Sequence, residues 1–268
     1  VPYDEPLDAA ELRAALTGPG SLWRDVQLID ETGSTNTDLA AQARAGAPSG
    51  TVLIAEHQTA ARGRLGRSWT APPGTAIALS LLVRPEVPAA RWTWLPLLTG
   101  IAVSESLQRA AKVPADLKWP NDVLVRDRKL CGILAERVEP AGGAETAGCV
   151  IGIGINVGLT EEQLPVPTAT SLRLQPDAAP VGRSTMIITV LRAFALLYAE
   201  WRESVDDTAL AAAYLARCGT VGRRVRVTLP GAEDVVGEAE AIDADGRLVV
   251  RTEAGRRAFG AGDIVHLR

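Results

Sequence analysis

Apolar and polar positions alternate in two styles along this chain, and the change from one to the other suggests its organisation. Asp8 to Leu16 ("DAAELRAAL") has helical spacing and is stopped by Gly18 and Pro19. "VQLID" predicts a short strand, and "TGSTNTDLAAQARAG" a capped turn followed by a helix that ends at Gly46. "TVLIAEH", from Thr51, is an apolar strand. "TAIALSLLV" is apolar along its length, the pattern of a strand buried on both faces. "RWTWLPLLTGIAVSESLQRAA" has the length of a long helix, with Pro96 and Gly100 interrupting its first half. "LKWPNDVLVRDRKLCGILAERVE" predicts a strand, a proline-containing turn and a hairpin turning at Arg126 to Arg128, and "GCVIGIGINV" a glycine-rich strand. Apolar residues three and four apart make "STMIITVLRAFALLYAEWRE" the strongest helix, and "DDTALAAAYLARC" the last one. The Pro/Ala-rich piece from Pro165 to Pro180 reads as a surface connection.

From Gly219 the pattern becomes short strands separated by "PG", "DADG" and "AG" turns, which predicts a small antiparallel barrel or sandwich. The expected boundary lies near Cys218, giving a domain of residues 1–217 and a smaller one of residues 218–268.

With 268 residues, 47% of them hydrophobic, the chain can bury a sizeable core. Its net charge of -4 argues against general nucleic-acid binding, since no global cationic field exists. The longest apolar run, "GTAIALSLLV", is too short to span a membrane, and the acidic start lacks the halves of a signal peptide. Three cysteines (Cys131, Cys149, Cys218) without a CxxC pair read as reduced thiols of a cytoplasmic protein. Two histidines leave little room for a histidine-based metal cluster.

Against that acidic background, "QTAARGRLGRSW" (Gln58 to Trp69) stands out. Gly63 and Gly66 allow tight turns, and Arg62, Arg64 and Arg67 can converge on one carboxylate or phosphate. The competing reading is a solvated hairpin whose arginines pair with nearby acids. The segment has neither the phosphate-loop form nor the dinucleotide fingerprint, and the glycines of "GIGIN" more simply permit close backbone or ligand approach. "KWPND" displays Lys118, Asn121 and Asp122 on one turn. Asp122 is a candidate for holding a divalent ion beside a triphosphate, and an Asx-type turn is the plainer alternative. Lys129, at a hairpin exit, is either a flanking residue or a cation aimed into a pocket. Ser34, Thr35 and Asn36 open a helix, as simple caps or as a grip on a small polar ligand. Cys131 reads as an apolar filler. Cations, one candidate metal acid and polar clips, without an activated nucleophile, suit a reaction in which the substrate's own oxygen attacks a phosphate.

Together, "STN" at Ser34–Asn36, "HQTAARGRLGRSW" at His57–Trp69, "LKWPNDVLV" at Leu117–Val125, "RKLCGIL" at Arg128–Leu134 and "GIGINV" at Gly152–Val157 resemble the biotin–protein ligases in order and spacing. The likeness covers residues 22–217, and the terminal β-region matches the family's C-terminal domain. The resemblance implies an α+β fold: a mixed sheet with packed helices like class II aminoacyl-tRNA synthetases, followed by a small SH3-like β-barrel. It implies attack of the biotin carboxylate on the α-phosphate of ATP, with Mg2+, giving biotinyl-5′-AMP and pyrophosphate. Transfer to one lysine of a biotin carboxyl carrier protein domain follows.

Carried over by motif, Ser34, Thr35, Asn36, Gln58, Arg62, Lys129, Gly132 and Leu134 would hold biotin. Arg64, Arg67, Trp69, Asn121 and Asn156 would hold the nucleotide, with Asp122 near Mg2+. Lys129, Arg64 and Arg67 would be catalytic, Lys129 having the largest effect on rate. Two positions depart from the family's loop: Ala61 stands where Gly is common, and Leu65 where Arg or a polar residue is common. Some members begin with a helix-turn-helix DNA-binding domain, and the roughly 21 residues before "LWRDVQLID" are too few for one. The expectation is a ligase without operator or membrane binding, monomeric or weakly dimeric. A lipoate–protein ligase-like enzyme and a non-enzymatic anion-binding module are the alternatives.

Overall fold

The computed structural model describes residue 3, residues 5–141 and residues 146–267. Its core is a seven-stranded mixed sheet in the order β1-β2-β3-β7-β6-β5-β4. The strands are β1 (Asp25–Thr32), β2 (Thr51–Gln58), β3 (Ala76–Val83), β4 (Asp116–Lys118), β5 (Asp122–Val125), β6 (Arg128–Val138) and β7 (Gly148–Asn156). Among these described strands β1 and β2 alone pair with each other in parallel; helix α2 (Thr35–Arg44) makes their crossover. As expected from its unbroken apolar run, β3 is buried at all eight positions. One face carries α2, through Leu39, Ala40 and Ala43. The other carries α1 (Ala9–Leu16), α3 (Leu95–Ser106), α4 (Arg183–Glu203) and α5 (Thr208–Leu215).

Asp8 caps α1 by accepting from the Ala10 and Glu11 amides, so two orphan donors of the first turn are satisfied. By length and composition α4 could cross a bilayer. Here it lays Met186, Ile187, Val190, Leu191 and Phe194 into the core, against α1 and α3. The segment expected to be one long helix is three pieces: a 3-10 stretch Ala89–Trp94, α3, and a π-turn Leu107–Ala111 ending at left-handed Lys112. Pro96 does not break α3, because it lies in the first turn, where its missing N–H costs nothing. The β5–β6 hairpin turns where expected, with Arg126 and Asp127 at positive φ.

The C-terminal sheet is antiparallel, in the order β11-β10-β9-β8-β12. It comprises β8 (Arg224–Thr228), β9 (Val235–Ile242), β10 (Leu248–Thr252), β11 (Gly255–Phe259) and β12 (Asp263–His266). Its Val225, Val227, Leu248 and Val250 join the main apolar core. Two buried tryptophans cross to it: the Trp94 Nε1–H donates to Ala244 O (3.0 Å), and the Trp119 Nε1–H to Gly246 O (3.0 Å). The turn between β9 and β10 is therefore bonded to the larger part of the chain by directional contacts.

Candidate active site

On the α2 face of the large sheet, three glycines open a gap in the floor. Register places Ala78, Gly154, Gly132 and Asp122 in one cross-strand row, and Ser80, Gly152 and Leu134 in the next. The alternating glycines of "GIGIN" thus face the same way, as the twofold period of a strand requires. Above them opens a cleft whose empty space, open solvent at its mouth included, is about 800 Å3.

At one end is a polar clip. The backbone N–H and hydroxyl of Thr35 both reach Gln58 Oε1 (2.8 and 3.0 Å). Ser34 caps α2 by accepting from the Thr37 amide. Arg62 donates to the Thr37 hydroxyl (2.7 Å), which brings the Arg/Gly loop down over the helix N-terminus. Asn36 is buried beside this clip and fully engaged with Leu134 O, Glu136 and Ser80.

At the other end are the charges. Lys129 Nζ lies 2.5 Å from Asp122 Oδ1, a close ion pair, and 5.6 Å from the centre of the Trp69 ring. Trp69 rests on the glycine floor: a Cβ at Gly154 would stand 2.9 Å from its Cε2, and one at Gly132 3.0 Å from its Cζ3. Arg64 donates to Asn121 Oδ1 (3.2 Å) and to Gly262 O (3.5 Å). Asn121 is pinned in turn by exchanging bonds with the Ile133 backbone. Burial pulls the Arg64 guanidinium below its ordinary pKa, opposed by Asp263 and Asp122. Burial does the same to Lys118, opposed by Asp122 and reinforced by Lys129.

The sequence-predicted residues Ser34, Thr35, Asn36, Gln58, Arg62, Arg64, Arg67, Trp69, Asn121, Asp122, Lys129, Gly132 and Leu134 all line this cleft. Asn156 does not. It is 3% exposed at the end of β7 and donates one amide hydrogen to Thr170 O (2.9 Å). Arg67 is ion-paired with Asp263 of β12. Asp263 also lines the cleft, and no local pattern marked it, because it meets the loop from 196 residues away. The Pro165–Pro180 segment is more than a surface connection. Ala169, Thr170 and Ser171 are buried, and Lys129 exchanges backbone bonds with Thr168 and Thr170. Leu65 sits at φ 55 and is exposed. Cys131 is buried, and burial pushes its thiol pKa up, which suits a filler and not a nucleophile. Among the described residues, no group of three or more His, Cys, Asp or Glu is placed to hold a metal ion.

Two family descriptions match the chain: the Biotin/lipoate A/B protein ligase family over residues 28–156, and the Biotin protein ligase C terminal domain over residues 220–267. The chain is 46% identical to the biotin–(acetyl-CoA-carboxylase) ligase of Mycobacterium tuberculosis, over 98% of this chain and 97% of that protein. It is 32% identical to the bifunctional ligase/repressor BirA of Bacillus subtilis, over 94% of this chain and 76% of that protein. Among solved structures, the biotin protein ligase of Aquifex aeolicus in complex with biotin and ATP superposes with a TM-score of 0.77 at 26% identity, over 92% of this chain and 100% of that one. The chain belongs to the biotin–protein ligase family.

Proposed function

We propose that this protein is an ATP-dependent ligase that activates biotin as biotinyl-5′-AMP and passes the biotinyl group to a lysine of a biotin carboxyl carrier protein domain. One observation carries the site assignment: a single glycine-floored cleft has a neutral hydroxyl–amide clip at one end and Lys129 with Arg64 at the other. Such a cleft suits an acid with a neutral polar head, its carboxylate brought among cations beside a phosphate.

In this reading Ser34, Thr35, Gln58 and Arg62 take the ring head, with Gly132 and Leu134 lining the slot. Trp69 and Asn121 border the nucleotide. A biotin carboxylate oxygen attacks the α-phosphate, the bond to the β-phosphate breaks, and pyrophosphate leaves. Lys129 and Arg64 counter the charge on the oxygens gaining it, from a partly water-excluded position where such contacts count for more. The acceptor amine then attacks the carbonyl carbon of the anhydride and AMP leaves. Arg67 joins the phosphate contacts on exchanging Asp263 for them. Mg2+ would supply charge neutralisation on the phosphates. Asp122, whose Oδ1 now pairs with Lys129, would be the carboxylate to hold it, and a single carboxylate suits a cation that takes most of its ligands from phosphates and water. Residues 1–217 act as the catalytic domain and residues 218–268 as an appended domain lending Asp263 to the rim. The free thiols agree with a cytoplasmic setting.

The test is direct. Purified protein given biotin, ATP and Mg2+ releases pyrophosphate and labels a carrier domain on one lysine. Transfer of lipoate but not biotin, or no adenylate with either acid, overturns the reading.

A further inference from the structure

Asn36 has no hydrogen left for a ligand. It is 5% exposed, and its two amide hydrogens go to Leu134 O (3.1 Å) and Glu136 Oε2 (2.8 Å). Its oxygen accepts from the Ser80 hydroxyl at 2.6 Å. A Cβ on Gly152 would stand 2.9 Å from the Asn36 amide carbon, so the glycine makes room for the amide itself. Glu136 accepts only, which forces the Asn36 NH2 toward it and the oxygen toward Ser80.

Ser80, wholly buried on β3, has one hydroxyl hydrogen and two acceptors in reach: Asn36 Oδ1 at 2.6 Å and Thr35 Oγ1 at 2.8 Å. It can serve one. If it serves Thr35, Thr35 donates onward to Gln58 Oε1, which then holds two donors counting the Thr35 amide. If it serves Asn36, the Thr35 hydrogen has Ser80 Oγ at 2.8 Å and Gln58 Oε1 at 3.0 Å to choose from; given to the nearer Ser80, it leaves one Gln58 Oε1 lone pair open. The correctly turned Asn36 oxygen favours the second arrangement.

We propose that Glu136, Asn36 and Ser80 are positioning residues: they set the hydrogen-bond polarity of the Thr35–Gln58 clip so that Gln58 Oε1 accepts from a ring N–H of the bound acid. This rests on the biotin reading, since a cyclic urea brings such N–H groups. Glu136 and Ser80 lie outside the cleft lining and act through Asn36 and Thr35.

The test is Asn36→Asp, which keeps the shape and replaces the donor by an acceptor facing Glu136. At pH 8 the biotin KM rises at least tenfold, while kcat at saturating biotin and the ATP KM stay within about twofold. Two facing carboxylates come to share a proton as pH falls, so biotin affinity recovers toward pH 5.5 in the variant and not in the wild type. Adding Glu136→Gln restores a donor opposite the introduced carboxylate, recovers at least fivefold of the loss at pH 8 and removes the pH dependence. Ser80→Ala, which leaves the amides in place, raises the biotin KM alone. Parallel changes in biotin and ATP KM that track a lowered melting temperature, or a double variant without recovery, overturn the network. The wild-type titration with biotin and with lipoate decides the functional reading separately. The variant-to-wild-type ratio, taken with whichever acid the wild type binds, decides the network.

Discussion

Lys129 is fixed by its backbone before its side chain acts. Its N–H and C=O are both held by the 168–170 segment, and its hairpin is set by two positive-φ residues just before it. The ammonium therefore leaves a rigid strand, with Asp122 on one side and the Trp69 ring on the other. Preorganised charge of this kind is where rate enhancement by electrostatic stabilisation originates. Lys129→Ala is expected to slow adenylate formation by about 10²–10³-fold, in line with removal of one donor to a developing oxyanion. Single-turnover pyrophosphate release at saturating biotin and ATP measures it, and an unchanged rate removes Lys129 from the chemistry. The ion pair with Asp122 is not a competing explanation of the lysine's presence. Truncating the lysine would leave the buried Asp122 Oδ1 without its paired cation, a stability cost that a melting curve separates from the rate.

At the scale of elements, β7 shows why the glycines of "GIGIN" matter. Gly152 and Gly154 project to the cleft side, and Asn36 and Trp69 occupy the space their side chains would take. Gly154→Ala puts a methyl 2.9 to 3.1 Å from three indole atoms and must displace Trp69. The expected result is an ATP KM raised roughly tenfold, about 1.4 kcal/mol, with the biotin KM little changed. Steady-state kinetics and tryptophan fluorescence check it, and an ATP KM that stays put takes Trp69 off the nucleotide. This strand also marks what a sequence reveals. Periodicity exposed β2, β3, β7 and α4, because a half- or fully buried element must repeat its apolar positions at its own period. Periodicity could not place α3 within its segment, since a 3-10 start and a π-turn end keep the same apolar content. The local motifs Ser34–Asn36, Gln58–Trp69, Asn121–Asp122 and Lys129–Leu134 were legible and meet in one cleft. Asp263, Ser80, Glu136 and the 168–170 brace were not, because each joins through tertiary contact with segments far away in the chain. Asn156 lies within a recognisable motif, and it is buried outside the cleft lining with one amide hydrogen donated to Thr170 O.

For the whole molecule, the seam between the two sheets is where pH should act. His266 on β12 sits 3.0 Å from the Thr220 hydroxyl, which also accepts from the Trp119 amide. Arg223 lies 3.4 Å from the other ring nitrogen. The tautomer that satisfies both contacts has Nε2–H donating to Thr220 and Nδ1 accepting from Arg223. Protonating Nδ1 would lose that acceptor and put a cation beside Arg223 and Lys118. Burial, then Lys118, then Arg223 lower the His266 pKa from 6.5 to about 4. The folded chain thus binds fewer protons here than the unfolded chain between those two values, so stability is full above pH 6.5 and falls as pH drops toward 4. Allowing for solvent screening of a half-exposed ring, the loss amounts to about 1–2 kcal/mol. Thermal melts of wild type and His266→Gln from pH 7.5 to 4 test this. The wild type should lose melting temperature relative to the variant through that window, because glutamine offers an amide to Thr220 without a titrating nitrogen. A constant difference across the window would mean that the seam does not titrate. Arg64 and Arg67 reach Gly262 and Asp263 at the start of the same strand. Acid loosening of β12 should therefore raise the ATP KM in the wild type more than in His266→Gln, joining the seam's stability to the cleft it borders.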